Sequence, residues 1–518
     1  MRGGLRRIVI GMTATIIAFL VQIGVNFILT PYILATLGAE AYGFVPLVNT
    51  LVGYSSLLTG VLNAMAGRFI GLAYGQGDHE RANVYFSSVM IADAALAVIL
   101  AVPYALAAAF PQAVMDVPPA LVDDVRWTFM LSAAGMEISL LTSVYGVVYY
   151  VSDRLDRSAV RGIEGNLLRA GVLVALFATM RPHICFVAGS ALAMNVYQCL
   201  ANVYYTRRLT PELRVRRSSF RWQAVRELTA SGLWNSVNTL SYALLVSLDL
   251  YLANRFLGAA MAGRYSVART MPQFVTNVAQ TLVGVLGPSI LHCYAQGRMG
   301  DMARSLHRSI RLMGLAVSLP AGYLIVFGQE FFRLWAPTED PLPLQAMSVV
   351  PLVAMVVSGC TMPVSNVYIA MDRVRVPSLI FLACGVANVA VVLPLLAWTD
   401  LGIWAIIGVA AAMDIAKNLI LSPMYAARCA GMPRRRMLAA ECRGLAGLPI
   451  MIAVCCACRT LVAVDSWPAF VAAAGACALV AGSVGLIVAT DRRERAAFAG
   501  KAVRWARVRI VGGGNDGR

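Results

Sequence analysis

The stretch SVARTMPQFVTNVAQTLVGVLGPS, residues 266–289, decides how this chain is to be read. It is mostly apolar and long enough to cross a bilayer, which takes about 20 residues. Its polar side chains Arg269, Gln273, Asn277 and Gln280 are spaced four, four and three apart. That spacing puts them on one face of an α-helix. A helix facing lipid would not carry such a face, because hydrocarbon offers polar groups no partner. The stripe belongs to a protein interior or to a water-filled cavity. Its arginine makes one wall of such a cavity cationic, which points to a transported anion.

The rest of the chain has the same character. Of 518 residues, 59% are hydrophobic and 13% charged, and mean hydropathy is +0.71. Soluble domains average roughly 25% charged residues, so this is an all-α polytopic membrane protein. Apolar runs place spans near 9–33, 42–66, 84–110, 125–150, 162–180, 184–205, 233–254, 266–289, 309–328, 345–370, 378–397, 402–426, 444–463 and 467–489. These are fourteen helices joined by short loops.

A net charge of +17 would suggest nucleic acid in a soluble protein. The distribution gives another reason for it. With the N-terminus inside, 34 Lys and Arg fall on the cytoplasmic side. Six fall outside: Arg126, Arg181, Arg255, Arg264, Arg333 and Arg459. Such asymmetry is the positive-inside signature, places both termini in the cytoplasm, and implies no nucleic-acid partner. The first apolar run is too long for a secretory leader and lacks a cleavage site, so it reads as a permanent helix. The eleven cysteines are scattered, and Cys455, Cys456 and Cys458 are not completed into a zinc pattern. Neither a metal nor a cofactor is expected.

An internal repeat organises the chain. At a shift of 220, Leu37-Gly38-Ala39 meets Leu257-Gly258-Ala259, Gly43 meets Gly263, Gly67 meets Gly287, and Gln76-Gly77 meets Gln296-Gly297. At a shift of 219, Tyr149, Asp153 and Arg154 meet Tyr368, Asp372 and Arg373. A unit of six helices keeps its orientation, so the halves are parallel repeats about an axis along the membrane normal. The expected division is an N-terminal lobe (1–205, helices 1–6), a cytoplasmic linker (206–232), a C-terminal lobe (233–430, helices 7–12), helices 13–14 (431–490) and a basic tail (491–518). In the linker, Phe220, Ala224, Val225 and Leu228 form an apolar face on the cytoplasmic surface, or the segment is simply solvated. The tail reads as a short interfacial helix ending before Gly512.

Repeat-related helices carry polar stripes. Helix 2 has Asn49, Gly53, Ser56, Gly60, Asn63 and Gly67 on one face, and helix 1 has Thr15, Gln22, Asn26 and Thr30. Helix 7 has Asn235, Asn238, Tyr242 and Asp249. Helices 1, 2, 7 and 8 are therefore expected to line a central cleft between lobes. Helix packing alone accounts for Gly53 and Gly60, since small residues are glue in membranes, but accounts poorly for Arg269. Charges inside spans are functional candidates: Asp93, Glu137, Arg169, Asp249, Arg269, Asp414 and Lys417. Asp414 and Lys417 are spaced to neutralise each other. Arg169 either snorkels to the surface or pairs with Glu164 or Glu137. Asp249 and Arg269 either pair or stand apart. Asp93 has no obvious partner. Arg68, at the inner end of helix 2, either meets an anionic head group or anchors the helix.

The run Phe27-Ile28-Leu29-Thr30-Pro31-Tyr32-Ile33-Leu34, then Leu37-Gly38 and Glu40-Ala41-Tyr42-Gly43, resembles the start of bacterial polysaccharide-export proteins. These are the oligosaccharide-lipid (Wzx-type) flippases of the MATE-like MOP superfamily. The loop Gly75-Gln76-Gly77-Asp78, with Glu80 and Ala82, is similar to the loop after helix 2 in that superfamily. The resemblance implies a two-lobe transporter working by alternating access in the bacterial plasma membrane, with helices 1, 2, 7 and 8 lining the cavity. The cargo it implies is undecaprenyl-pyrophosphate-linked oligosaccharide. Glycan polymerases or glycosyltransferases would be partners, and the lipid tail would stay in the bilayer. Cavity candidates are Gln22, Asn26, Asn49, Asn63, Arg68, Asn235, Asn238, Arg269, Gln273 and Asn277, with Asp249 a candidate for ion coupling. An arginine suits phosphate because its planar fork donates paired hydrogen bonds.

A cation-coupled multidrug antiporter and a lipid II flippase are the alternatives. Helix 1 offers no acid for a proton site, and the cavity of lipid II flippases is richer in arginine. A glycosyltransferase or polymerase usually carries a large outer loop or a catalytic acid pair; here the longest outer segments, 111–124 and 328–344, are short, and their Asp116, Asp123, Asp124, Glu330, Glu339 and Asp340 read as solvated loop acids. No Walker motif provides for ATP-driven transport, and no enzymatic activity is expected.

Overall fold

A computed structural model describes residues 2–490. The tail from 491 to 518, and with it the expected interfacial helix, lies outside the described residues. The described chain is helical, with no strand among the described residues, and contains fourteen helices long and apolar enough to cross a membrane. They are spans 1 (Thr13–Leu37), 2 (Ser56–Gly75), 3 (His79–Ala109), 4 (Pro119–Val151), 5 (Leu155–Thr179), 6 (Ile184–Leu209), 7 (Trp222–Leu257), 8 (Ala259–Ala295), 9 (Met299–Val326), 10 (Pro341–Ala370), 11 (Arg375–Trp398), 12 (Ile403–Cys429), 13 (Arg434–Leu461) and 14 (Trp467–Ala489). All but span 2 fall on an expected span, usually extended into the flanking polar residues. Hydropathy marks the part in hydrocarbon, whereas the helix continues until a turn residue ends it.

Span 2 differs from expectation. A helix over Ala39–Gly53 precedes it, and the two are separated at Tyr54 and Ser55. A break inside a membrane frees backbone groups that need internal partners. Here the Val52 carbonyl accepts the Ser55 hydroxyl at 2.7 Å and the Tyr104 hydroxyl of span 3 at 3.1 Å. Span 7 contains a π-helical turn at Ala243–Ser247, and the Leu244 carbonyl accepts the amide of the buried Asn388 from span 11 at 3.0 Å.

The repeat is written into the backbone. Gly38 and Gly258 have φ of 82° and 88°, and Gly77 and Gly297 have 79° and 69°. Asp153 and Asp372 are the two non-glycine residues with positive φ among the described residues, at 51° and 53°. Left-handed backbone is uncommon for a residue with a Cβ, so three pairs at the repeat spacing mark equivalent turns.

Packing divides the chain into two compact units. Of the described residues, the first comprises 2–267, 336–339 and 381–409; the second comprises 268–335, 340–380 and 410–490. In the first unit the linker is an ordered strap. Ala224, Val225 and Leu228 are buried with Leu62, Ala66, Ile70 and Phe86, and Phe220 packs against them. Asn83 accepts from the Arg214 N–H at 2.7 Å and donates to the Glu212 carbonyl at 2.8 Å. Ser87 and Ser88 accept from the N–H groups of Arg216 and Arg221. Span 7 meets span 2 where Gly232 lies against the Val61 backbone with no room for a Cβ.

In the second unit, span 9 is the buried centre, covered by spans 10, 13 and 14. Gly314 and Gly444 let the backbones of spans 9 and 13 meet, and the Tyr323 hydroxyl donates to the Phe470 carbonyl of span 14 at 2.7 Å. The two C-terminal spans thus shield a helix carrying the buried Arg311 from lipid.

Candidate transport site

The first unit holds eight of the expected site residues. Asn26, on span 1, is the one that meets a cation. Spans 1 and 5 pack along their length through Leu29, Ile33, Leu173 and Phe177, which are buried between them. This places Arg169 of span 5 against the polar face of span 1, where its Nη1 donates to Asn26 Oδ1 at 3.2 Å. Glu164 is instead held by Arg161 at 2.6 Å and by the Tyr197 hydroxyl. Neither expected pairing of Arg169 forms. Among the described residues no carboxylate pairs with Arg169, and its Nε is buried without a hydrogen-bond acceptor.

Asn49 precedes the break in helix 2 and accepts from Ser132 of span 4 at 3.3 Å. Asn235 of span 7 lies beside Gly60 of span 2. Asn238 is half-buried further along span 7, while Gln22 and Arg68 are accessible at the surface of the unit. Asp249 is buried and accepts from the Tyr265 hydroxyl at 3.3 Å.

Asn63 has a role that its stripe position alone does not reveal. Its amide nitrogen donates to the Thr59 carbonyl at 3.1 Å and to Asp93 Oδ1 at 3.2 Å. The Ser143 hydroxyl lies 2.9 Å from Asn63 Oδ1 and 3.0 Å from Asp93 Oδ2. Asp93, read from sequence as unpartnered, is fully buried in this ring. Glu137, one and a half turns before Ser143, buries both carboxylate oxygens without a hydrogen-bond partner among the described residues.

The second unit holds Arg269, Gln273 and Asn277. Gln273 donates to Asn277 Oδ1 at 3.2 Å, so the two amides share one helix face as their spacing requires. Asp414 and Lys417 form the expected ion pair at 3.1 Å. Glu441 is a carboxylate that the sequence reading passed over. It is fully buried on span 13, beside Cys360, with both oxygens lacking a hydrogen-bond partner among the described residues. The expected span began at 444, which left Glu441 in a loop. No group of metal-ligating side chains occurs among the described residues.

No protein-family model matches the chain. A curated relative, the uncharacterized membrane protein EpsK of Bacillus subtilis (strain 168), is 29% identical over 469 residues, covering 89% of this chain and 92% of that protein. Among solved structures, an inward-facing multidrug resistance MATE family transporter of the MOP superfamily is similar at TM-score 0.66. It is 15% identical, over 82% of this chain and 98% of that one. The lipid II flippase MurJ in an inward closed conformation is similar at TM-score 0.63 and 11% identity, over 92% and 99%. The fold is that of the MATE-like MOP transporters, with fourteen spans.

Proposed function

We propose that this chain flips undecaprenyl-pyrophosphate-linked oligosaccharide across the bacterial plasma membrane by alternating access, for export of cell-surface polysaccharide. The observation that carries this reading is the contact between Arg169 and Asn26. A guanidinium inside a span is costly unless something offsets its charge. Arg169 has an amide oxygen and no carboxylate among the described residues, so its charge is left to an incoming anion. A pyrophosphate offers the oxygen pairs that a guanidinium fork binds. Asn49, Asn235 and Asn238 in the first unit, and Gln273 and Asn277 in the second, are amides suited to sugar hydroxyls, whereas Asn63 is committed to Thr59, Asp93 and Ser143. Arg68, exposed in the first unit, would add positive charge there.

The fold alone does not select cargo. Lipid-linked saccharides and lipid II share the pyrophosphate, whereas the substrates of a multidrug antiporter need not carry one. The experiment is disruption of the gene in its own host. Loss of surface polysaccharide with build-up of the lipid-linked precursor is expected, with restoration by the wild-type chain but not by Arg169→Ala. Intact surface polysaccharide together with raised sensitivity to cationic drugs would select the antiporter.

A further inference from the structure

The ring of Asn63, Asp93 and Ser143 contains too few hydrogens if Asp93 is ionised. One Asn63 amide hydrogen goes to Thr59 and the other to Asp93 Oδ1. The Ser143 hydroxyl has a single hydrogen, yet faces two acceptors, Asn63 Oδ1 at 2.9 Å and Asp93 Oδ2 at 3.0 Å. A hydroxyl donates once. With Asp93 charged, one of those two short contacts sets lone pair against lone pair. With a proton on Asp93 Oδ2, every contact is filled in one direction: Asn63 N–H to Asp93 Oδ1, Asp93 O–H to Ser143 Oγ, and Ser143 O–H to Asn63 Oδ1.

We propose that Asp93, closed by Asn63 and Ser143, is a proton-binding site within the first unit, loaded in this conformation, whose release and reloading couple cargo movement to the proton gradient. The coupling rests on the transport reading above; the site itself does not.

Two further observations support it. Ser143 begins a 3₁₀ turn, Ser143–Val147, between α-helical stretches of span 4. Such a turn inside a long helix often marks a hinge, so a change of helix geometry there would move the hydroxyl that closes the ring. Among the described residues no cation forms an ion pair with Asp93, and Arg226 of span 7 and Arg217 of the linker are exposed. Span 2 contributes Arg68, which is exposed, and Tyr74, whose hydroxyl meets Glu212. Span 7 contributes Glu227, held by Tyr85, and span 4 contributes Glu137 and Tyr145, the latter packed on Phe86. Tyr104, on the helix of Asp93 itself, is spent on Val52. Among the described residues, the hydrogen-bond partners of Asp93 are Asn63 and Ser143 alone.

The test uses the full chain in lipid vesicles. Dicyclohexylcarbodiimide reacts with protonated carboxyls in apolar surroundings, and infrared spectroscopy detects a protonated carboxyl directly. Asp93 is expected to be modified, with modification falling as pH rises and unchanged by sodium at constant pH. The wild type is expected to show at neutral pH a protonated-carboxyl band that Asp93→Asn removes. That variant keeps the ring, because its amide can donate to Ser143 and accept from Asn63. Absence of the band at neutral pH, or protection from carbodiimide by sodium, overturns the site. For coupling, movement of a lipid-linked saccharide is expected to depend on an imposed pH gradient and to lose that dependence in Asp93→Asn. Gradient-independent movement in the wild type overturns the coupling and leaves the flippase reading intact. A pH-titrating Asp93 in a chain that moves no lipid-linked saccharide supports the site and removes the proposed function.

Discussion

A Cβ added to Gly43 would lie 2.5 Å from the Cα of Gly263. The two glycines are equivalents in the repeat, one in the helix that precedes span 2 and the other at the start of span 8. The backbones touch at that point, which a methyl group on either side forbids. Gly43→Ala should therefore destabilise the protein by about 1–3 kcal/mol, the usual cost of overpacking. Gly53→Ala in the same helix has open space around its Cβ position and should be neutral or slightly stabilising. Thermal unfolding in detergent compares the two, and equal midpoints would refute a close crossing.

The loop before span 4 is fastened to the end of span 7 by one side chain. Buried Asn254 accepts from the Asp116 N–H at 2.8 Å and donates to the Asp116 carbonyl at 3.0 Å. Asn254→Ala leaves two backbone groups without these bonds and should cost about 1–3 kcal/mol. Accelerated proteolysis at residues 111–121 would report the loss, and an unchanged cleavage pattern would count against the clasp.

Asp414 and Lys417 offset each other inside span 12. Lys417→Met removes the cation of that pair and should lower the yield of folded protein. Adding Asp414→Asn should recover most of the loss, because removing both charges costs less than stranding one. A double variant as poor as the single one would show a role beyond neutralisation.

Asp249 offers a contrast with Asp93. It accepts the Tyr265 hydroxyl outside the proton-filled ring, so Asp249→Asn should retain the dependence of transport on a pH gradient that Asp93→Asn loses. Loss of that dependence in Asp249→Asn would move the coupling site to span 7.

The spans were legible in the sequence because hydrocarbon imposes length and apolarity on each one separately. The turns were legible through the repeat: matching Gly38 with Gly258, or Asp153 with Asp372, picked out positions whose backbone proves to be left-handed. What escaped was pairing over distance. Asn26 and Arg169 are 143 residues apart, and Asp93 finds partners 30 residues before it and 50 after it. A helical stripe tells which residues share a face, not which helix that face meets. Glu441 was missed for another reason, since basic Arg434–Arg436 masks the hydropathy of a helix that in fact begins there. The solvated reading of the linker failed similarly, because its apolar side chains are spread among seven arginines.

The central claim is that a membrane-embedded guanidinium receives a phosphate-bearing saccharide. The direct test is movement of a fluorescent undecaprenyl-pyrophosphate-linked saccharide across vesicles containing the purified chain, with wild type, Arg169→Lys and Arg169→Ala side by side. Transport by the wild type is expected, with reduced transport by the lysine variant and a loss of about ten- to a hundredfold in the alanine variant, equivalent to a charged hydrogen bond of ~1.5–3 kcal/mol. Undiminished movement in Arg169→Ala, with the protein folded, would contradict it.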